Sequence, residues 1–356
     1  MGTNATRRKL DGLQVLRALA ASAVVFEHVA FHARLGRMPV ECPRWFELGH
    51  LGVDLFFVLS GFIIVHVHGD DIGRPGRAGD YAWRRFARVW PLLAILTTFK
   101  LLAGLAMPGL VPEDRYRLGV VATSYLCLPH PDWPVLSVAW TLRHEALFYA
   151  CFALLVVGGR RVASALILMW IAGALVAVAW RDGPLLLEFV GNPLNAHFLF
   201  GCAVAAWIRR APVAATTRAP SAWWLAPITA NLVAALVVYG RHMDSGLPAL
   251  ALRLWFGLGC AALVAWFVRR ELASPLRAPR WLVALGDASY SLYLWHGFVV
   301  ALLLSRWTRL PEWLQDWPVA WIAATTALAF ASSWWLHILV ERPTGKLLDA
   351  WWRGRR

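Results

Sequence analysis

The stretch LQVLRALAASAVVFEHVAF, residues 13–31, decides the setting of this chain because it is almost entirely apolar. A run of about 20 apolar residues is what a helix needs to cross the roughly 30 Å hydrocarbon core of a bilayer. Arg17 and His28 interrupt this run. On a helix, eleven residues advance about 20° beyond three full turns, so both side chains lie on one face, about 16 Å apart along the axis. Ionisable groups inside a membrane span are candidates for function.

The composition of the whole chain agrees with a membrane setting. Apolar residues make up 59% of the 356 residues and charged residues 16%, whereas soluble domains average about 25% charged residues. The sequence therefore predicts an all-α polytopic transmembrane helix bundle of about ten spanning helices, forming a single domain over residues 1–356 without a cleavable signal peptide. The segment at residues 118–128 is too short to span and is expected to be re-entrant or interfacial. The ten apolar runs lie at residues 12–33, 48–68, 83–106, 138–157, 162–180, 194–210, 221–240, 249–269, 281–305 and 318–340.

Lysine and arginine are distributed unevenly between alternate loops. The loops on the side of the N-terminus carry 22 of them and the loops on the other side carry nine. Cytoplasmic loops carry the excess in membrane proteins. Both termini are therefore expected in the cytoplasm, as short tails at about residues 1–11 and 342–356. The net charge of +14 is explained by topology, and no nucleic-acid partner is expected.

Further polar residues fall inside the apolar runs. Asp54 lies in the second run, Arg143 and Glu145 lie in the fourth, and His296 lies in the ninth. In lipid each of these groups must find a partner within the bundle. The sequence therefore predicts a polar cavity between helices, which is typical of an enzyme or a transporter.

Three other patterns carry less weight. In HEALF, residues 144–148, Phe148 stands where a zinc-protease motif has its second histidine, and no metal or permanently bound cofactor is expected. HVHGDD, residues 66–71, lies at a span end, where a solvated interfacial cluster is expected. Cys42 and Cys127 both fall on the outer side and could pair if that compartment is oxidising.

Six motifs, in this order, resemble those of the acyltransferase-3 family of integral membrane acyltransferases, most closely its exopolysaccharide-acetylating branch, over nearly the whole chain. Two positions depart from the family pattern: Glu27 precedes the key histidine where an apolar residue is usual, and His144 precedes Glu145 where a neutral residue is commoner. The motifs are LDGLQVLRALAASAVVFEH (10–28), GVDLFFVLSGFI (52–63), YAWRRFARVWPLL (81–93), WTLRHEALFYACFAL (140–154), LGDASYSLYLWHGF (285–298) and VERP (340–343).

This resemblance implies transfer of an acyl group, usually acetyl, from cytoplasmic acyl-CoA to a hydroxyl of a glycan or lipid-linked saccharide, at a bacterial inner membrane. We expect His28 to act as general base, or less readily as a transient acyl carrier, and Glu145 to orient or tune it. Acyl-CoA is expected as co-substrate rather than as a bound cofactor, with its phosphates on Arg17, Arg84, Arg85 and Arg88. The residues expected to support the polar site are Asp54, Ser60, Arg143, Tyr149, Tyr290 and His296.

The chemistry of acyl transfer suits these residue types. A sugar hydroxyl is a weak nucleophile at neutral pH, and an imidazole, with an ordinary pKa near 6.5, is a suitable base for it. The phosphates of CoA cannot enter hydrocarbon, and arginine binds phosphate through two parallel N–H groups. Arg17 would therefore meet the donor at the cytoplasmic boundary, while His28 lies deeper, where the acyl end arrives.

A transporter or flippase for an anionic solute or a lipid-linked sugar is the alternative, with Arg17 and the buried acids as its relay. Such proteins commonly contain inverted repeats with matching broken helices. The segment EFVGNPLNAHFLFG, residues 188–201, is interrupted in this way but has no evident counterpart. The enzyme hypothesis is therefore preferred.

The charge count yields a test of topology. Because 22 basic residues against nine predict a cytoplasmic C-terminus, a fluorescent protein fused after Arg356 should be fluorescent in cells. An alkaline phosphatase fused at the same point should be inactive, since that enzyme needs the oxidising side of the membrane. The opposite pair of results would reverse the side from which Arg17 meets a donor.

Overall fold

The computed structural model describes residues 10–180, 183–210, 220–241 and 247–355. In these ranges all regular structure is helical and no strand occurs, which confirms the predicted all-α class. The predicted N-terminal tail, apart from Leu10 and Asp11, lies outside the described residues, as do Arg181, Arg218 and Arg356 from the charge count. The α-helices are α1 (Asp11–Leu35), α2 (Gly52–His68), α3 (Ala78–Ala106), α4 (Leu118–Leu126), α5 (Trp140–Gly158), α6 (Arg160–Ala179), α7 (Leu185–Gly191), α8 (Leu194–Arg210), α9 (Leu225–Arg241), α10 (Leu247–Ala273), α11 (Arg280–Asp287), α12 (Ser289–Leu304), α13 (Glu312–Gln315), α14 (Pro318–Leu336) and α15 (Arg342–Arg353).

Each predicted apolar run coincides with one of these helices, or with the pair α11 and α12 for residues 281–305. In the described part of the chain, six helices are long and apolar enough to cross a membrane, and the pair α11–α12 makes a seventh if it is one span. α8 and α9 have 17 residues each, which is at the short end for a 30 Å core. The chain is thus an integral membrane protein, and the count of ten spans stays a prediction.

α1 is the central helix of the bundle. It packs against α2, α10, α11, α12 and α14, and its buried face is rich in alanine and valine. Small residues at such interfaces let helix backbones approach closely. The same device joins α2 to α8, where a Cβ atom on Gly61 would collide with the Phe198 carbonyl and one on Gly201 with that of Val58.

Two irregularities place side chains in the interior. The axes of α11 and α12 are bent by 73°, so the SYS segment that begins α12 (residues 289–291) turns into the bundle and is buried. A π-helix over His337–Glu341 joins α14 to α15. Such wide turns are frequent at functional sites, and this one presents the Glu341 carboxylate to α3 and α12.

α3 and α5 run in opposite directions, which fixes the two ends of the bundle. The start of α3 and the end of α5 meet near the loop at residues 69–77, where the Gly73 amide donates to the Leu155 carbonyl at 3.1 Å. α1 also begins at this end, because one loop reverses the chain between α1 and α2. We call this the proximal end of the bundle, and the end at which α5 begins the distal end.

Candidate active site

A cleft with an empty volume of about 880 Å³ opens between α1, α2, α3, α5 and α12. One wall is apolar and is formed mainly by valine, leucine, isoleucine and phenylalanine side chains of α2. The polar residues that line the cleft are Arg17, Ser60, Arg85, Arg88, Thr141, Glu145, Tyr149, Ser289, Tyr290 and Tyr293.

The proximal side of the cleft is cationic. Arg85 and Arg88 lie on one face of α3 and meet Arg17 from α1. Among the described residues, neither Arg17 nor Arg85 forms an ion pair, whereas Arg88 donates to the Glu341 carboxylate at 2.7 Å. Two guanidinium groups that form no ion pair with the described residues favour an anionic ligand, since charge inside a protein is costly without a direct partner.

Glu145 is the carboxylate that lines this cleft. It accepts hydrogen bonds from the Ser60 hydroxyl at 3.2 Å and from the Tyr149 hydroxyl. It makes no contact with His28 in the described structure, so the expectation that Glu145 orients this histidine directly is wrong. Glu145 instead joins α2 to α5 across the cleft.

His28 is oriented by its neighbour in sequence. Its Nδ1 atom lies 2.7 Å from the Glu27 carboxylate and 2.9 Å from the Val24 carbonyl. Because both partners are hydrogen-bond acceptors, Nδ1 must carry the proton, which leaves Nε2 of a neutral ring with a free lone pair. This is the arrangement that a general base requires.

A row of side chains on α12 leads from the cleft to His28. Tyr290, Tyr293 and His296 follow one another at intervals of three residues, which makes them neighbours along a helix surface. The rings of Tyr293 and His296 lie 6.2 Å apart, and those of His296 and His28 lie 4.9 Å apart. His28 is therefore not in the lining of the cleft but adjoins it through His296, which is fully buried.

Two predicted site residues lie elsewhere. Arg84 is exposed on the outer face of α3, because it is one residue, or about 100°, out of register with Arg85. Arg143 is about 200° around α5 from Glu145 and donates to the carbonyls of His130 and Asp132 in the preceding loop. Neither lines the cleft, so the structure does not bring Arg84 together with the other predicted donor-binding arginines, or Arg143 together with the predicted polar site.

Asp54 belongs to a second buried cluster. Its carboxylate accepts from the Arg253 guanidinium at 2.9 Å and lies 3.1 Å from Nδ1 of His197. The structure therefore places Asp54 in this cluster and not in the lining of the cleft, where it was expected. The cluster ties α2 to α8 and α10, and a carboxylate that is fully buried is stable there because its partners replace water.

The structure also shows the contacts of the other three sequence patterns, which are HVHGDD, HEALF and the two outer cysteines. In HVHGDD, His68 pairs with Asp71 at 2.8 Å. Burial opposes ionisation of Asp71, but hydrogen bonds from His68 and Arg77 outweigh it and hold the pKa of this carboxyl below its usual value. The described residues contain no group of side chains that could hold a metal ion. Cys42 and Cys127 are free thiols, so the predicted possibility of a disulfide between them is not realised.

The sequence-based prediction missed several residues near the cleft. Glu341 accepts from Ser291 at 2.6 Å and lies 2.8 Å from His337 in addition to its pair with Arg88. Its signal was an acid in the VERP motif at a span end. The signal of Tyr293 was its spacing of three residues from Tyr290 and from His296. The other residues that were missed are Thr141 and Ser289.

Comparison with known proteins agrees with this geometry. A family model described as an acyltransferase domain, the acyltransferase-3 model, matches residues 10–338. The chain belongs to this acyltransferase family. It is therefore a membrane acyltransferase, and the predicted resemblance is confirmed.

Individual relatives extend the comparison. The exopolysaccharide production protein ExoZ of Rhizobium meliloti is 30% identical over 84% of this chain and 90% of its own length. YrhL of Bacillus subtilis, named as a peptidoglycan O-acetyltransferase, is 25% identical over 83% of this chain and 49% of its own length. BcsY of Komagataeibacter xylinus, named as a membrane-bound transacylase, is 27% identical over 94% of this chain and 82% of its own length. No solved structure matches the chain significantly.

The position of Asp54 outside the cleft yields a test. Asp54→Ala should lower the free energy of unfolding by about 3–5 kcal/mol, because it removes the buried carboxylate that joins Arg253 and His197. Activity per folded molecule should change little. Thermal unfolding in detergent measures the first effect, and an assay normalised to folded protein measures the second. A variant that is as stable as the parent but has greatly reduced activity would show that Asp54 belongs to the active site.

Proposed function

We propose that this membrane acyltransferase moves an acetyl group from acetyl-CoA to a hydroxyl of a glycan. The observation that carries the proposal is the meeting of Arg17, Arg85 and Arg88 in a cleft that leads to His28. An anion-binding entrance joined to a histidine with a free Nε2 atom suits a phosphate-bearing acyl donor and an acceptor that must lose a proton.

The donor phosphates would bind at the cationic side of the cleft. The guanidinium groups of Arg17 and Arg85 have no carboxylate partners among the described residues, so they are available for phosphate. Ser289 adds a hydroxyl that lines the cleft, is buried and has no hydrogen-bond partner in the described structure. Arg88 is held by Glu341 and stacks at 5.3 Å over the ring of Tyr290, which fixes the third cation in place.

The uncharged arm of the donor would follow the row on α12. Tyr290 and His296 are separated by six residues, or about 9 Å along the helix. Tyr293, between them, is held by a contact of 2.8 Å between its hydroxyl and that of Thr141. A thioester carried along this row would arrive beside His28. Residues of α2 form the apolar wall that excludes water from this path.

The reaction would proceed by a proton transfer coupled to attack on the thioester. Nε2 of His28 takes the proton from the acceptor hydroxyl as its oxygen bonds to the carbonyl carbon. The tetrahedral intermediate then collapses, the carbon–sulfur bond breaks, and the CoA thiolate receives the proton from His28. Glu27 would keep the ring in its Nδ1–H form and stabilise the imidazolium that forms between the two steps.

The choice of acceptor rests on the relatives. ExoZ is named for exopolysaccharide production and YrhL as a peptidoglycan O-acetyltransferase, which supports a glycan hydroxyl as the acceptor. The location that accords with a cytoplasmic donor is a bacterial inner membrane with both termini in the cytoplasm. In that orientation the Arg17 side of the cleft faces the CoA pool.

Substitution of the base tests the mechanism. His28→Gln should reduce acetyl transfer by roughly 10²–10⁴-fold, the usual contribution of general-base catalysis. CoA binding should remain, since the cationic side of the cleft is untouched. Transfer is measured as thiol release per folded molecule in detergent, a signal that a transporter would not give. If the variant folds poorly but is fully active per folded molecule, His28 has a structural role in packing and no catalytic role.

Substitution of the donor arginines tests the entrance, and α3 offers a matched control. Arg88→Ala should weaken CoA binding by about 1.5–3 kcal/mol, the range for hydrogen bonds to charged groups. Arg88→Lys should restore only part of this, because it keeps the charge but loses the planar fork. Arg84→Ala removes the same charge from the exposed face of the same helix, and we expect CoA binding to be retained. Calorimetric titration distinguishes the two variants, and CoA binding as tight as that of the parent in both would reduce both arginines to topology signals.

A further inference from the structure

A second cavity lies on the other side of α5 from the cleft. It has an empty volume of about 1080 Å³ and is bounded by α3, α4, α5 and α7. We call it the lateral groove. Its lining is mainly apolar and comprises Tyr81, Ala82, Arg85, Phe86, Trp90, Leu126, Cys127, Leu128, Pro129, Arg143, Ala146, Leu147, Tyr149, Ala150, Ala153, Leu186 and Phe189.

The lateral groove opens toward the surrounding membrane. Four large apolar side chains of its lining, Phe86, Leu126, Leu128 and Leu186, are exposed on the protein surface. Ala146, Ala150 and Ala153 follow one another on α5, and their small side chains form the floor of the groove. The floor from Ala153 to Arg143 spans ten residues, or about 15 Å, which is half of a hydrocarbon core. A hydrocarbon chain of one leaflet suits this length.

The distal end of the groove carries a buried cation. Arg143 is only 8% exposed, and its hydrogen bonds go to backbone carbonyls rather than to a carboxylate. Its Nε atom has no hydrogen-bond partner in the described structure. The carboxylate of Asp132 lies near Arg117 and His130 instead. A buried guanidinium without a carboxylate favours an anion from outside the chain.

The charged side chains around Arg143 balance one another. The loops that precede α4 and α5 bring Arg115 and Arg117 to the same end, together with the carboxylates of Glu113, Asp114 and Asp132. Arg143, whose Nε atom has no partner among the described residues, is therefore the group that complements a negatively charged head group, and the apolar lining complements a hydrocarbon chain.

Two side chains line both the lateral groove and the cleft. These are Arg85 and Tyr149, and the guanidinium carbon of Arg85 lies 5.8 Å from the centre of the Tyr149 ring. His28 lies seven residues from the distal end of α1, and Arg143 lies in the first turn of α5 at that same end. A head group bound at Arg143 would thus be at the same end of the bundle as His28, the distal end.

We propose that the lateral groove binds a lipid phosphate that carries the acceptor sugar, with the hydrocarbon chain along Ala146, Ala150 and Ala153 and the phosphate at Arg143. This inference rests on the proposed function and adds to it a site for the acceptor. The lipid holds the sugar at the distal end, and the donor enters from the proximal end. The two substrates then approach His28 from opposite sides.

Binding of a C20 prenyl phosphate to the purified protein in detergent tests this site. Ala150→Trp places a large ring on the exposed floor of the groove and should weaken binding by about tenfold or more, because a filled groove excludes the chain. Leu154→Trp is the matched control, since Leu154 lies one turn away, is 54% exposed and does not line the groove. Its binding should stay within about twofold of the parent, since a surface substitution away from the contacts has little effect.

The head group is tested with the same probe. Arg143→Gln should weaken binding of the prenyl phosphate by about tenfold or more, because a charge-assisted hydrogen bond is lost. Binding of the uncharged C20 prenol should be unchanged. The proposal fails if Ala150→Trp binds the prenyl phosphate as tightly as the parent does. It also fails if phosphatidylglycerol vesicles displace the probe as well as a second prenyl phosphate does, because the groove is then an ordinary lipid contact. CoA titration of each variant reports on the proposed donor cleft separately, so a failure there is distinguishable from a failure here.

Discussion

The fold depends on the cost of placing charge in hydrocarbon. An ionised group inside a membrane needs a partner supplied by the bundle, and the helices of this protein are arranged around such partners. Asp54 with Arg253 and His197 joins α2, α8 and α10. Arg88 with Glu341 joins α3 to the π-helix before α15. Both clusters lie within otherwise apolar interfaces, so they fix which helix faces meet.

The same constraint distinguishes structural from functional charge. Where a cation has a carboxylate partner, as Arg253 has, the pair is formed within the chain. Arg17, Arg85 and Arg143 form no ion pair with a carboxylate among the described residues, and each lines a cavity. Under the proposed function, the substrates would supply the negative charge at these sites.

His28 shows how a departure from a family pattern becomes useful. The acid at position 27, where the family usually has an apolar residue, holds Nδ1 of the next residue. Adjacent residues on a helix normally point about 100° apart, and here Nδ1 of His28 contacts both the Glu27 carboxylate and the Val24 carbonyl. The ring of His296 lies beside that of His28, toward the cleft. His28 and the cationic side of the cleft are thus positioned by different sets of contacts.

The sequence by itself determined the class of fold, the positions of the helical runs and the family, because hydrophobicity and helix length are local properties of the chain. It also predicted that a set of polar residues would lie together, since each belongs to a motif and polar groups inside a membrane need partners, and the structure brings these into one cleft: Arg17, Arg85, Arg88, Glu145, Tyr149 and Tyr290. Only the tertiary structure decided which side chains meet. Arg84 and Arg143 fall on the wrong helix faces, Asp54 has distant partners in α8 and α10, and Glu145 bonds to α2 instead of His28. Such contacts depend on the rotation and packing of whole helices, and local patterns do not specify those.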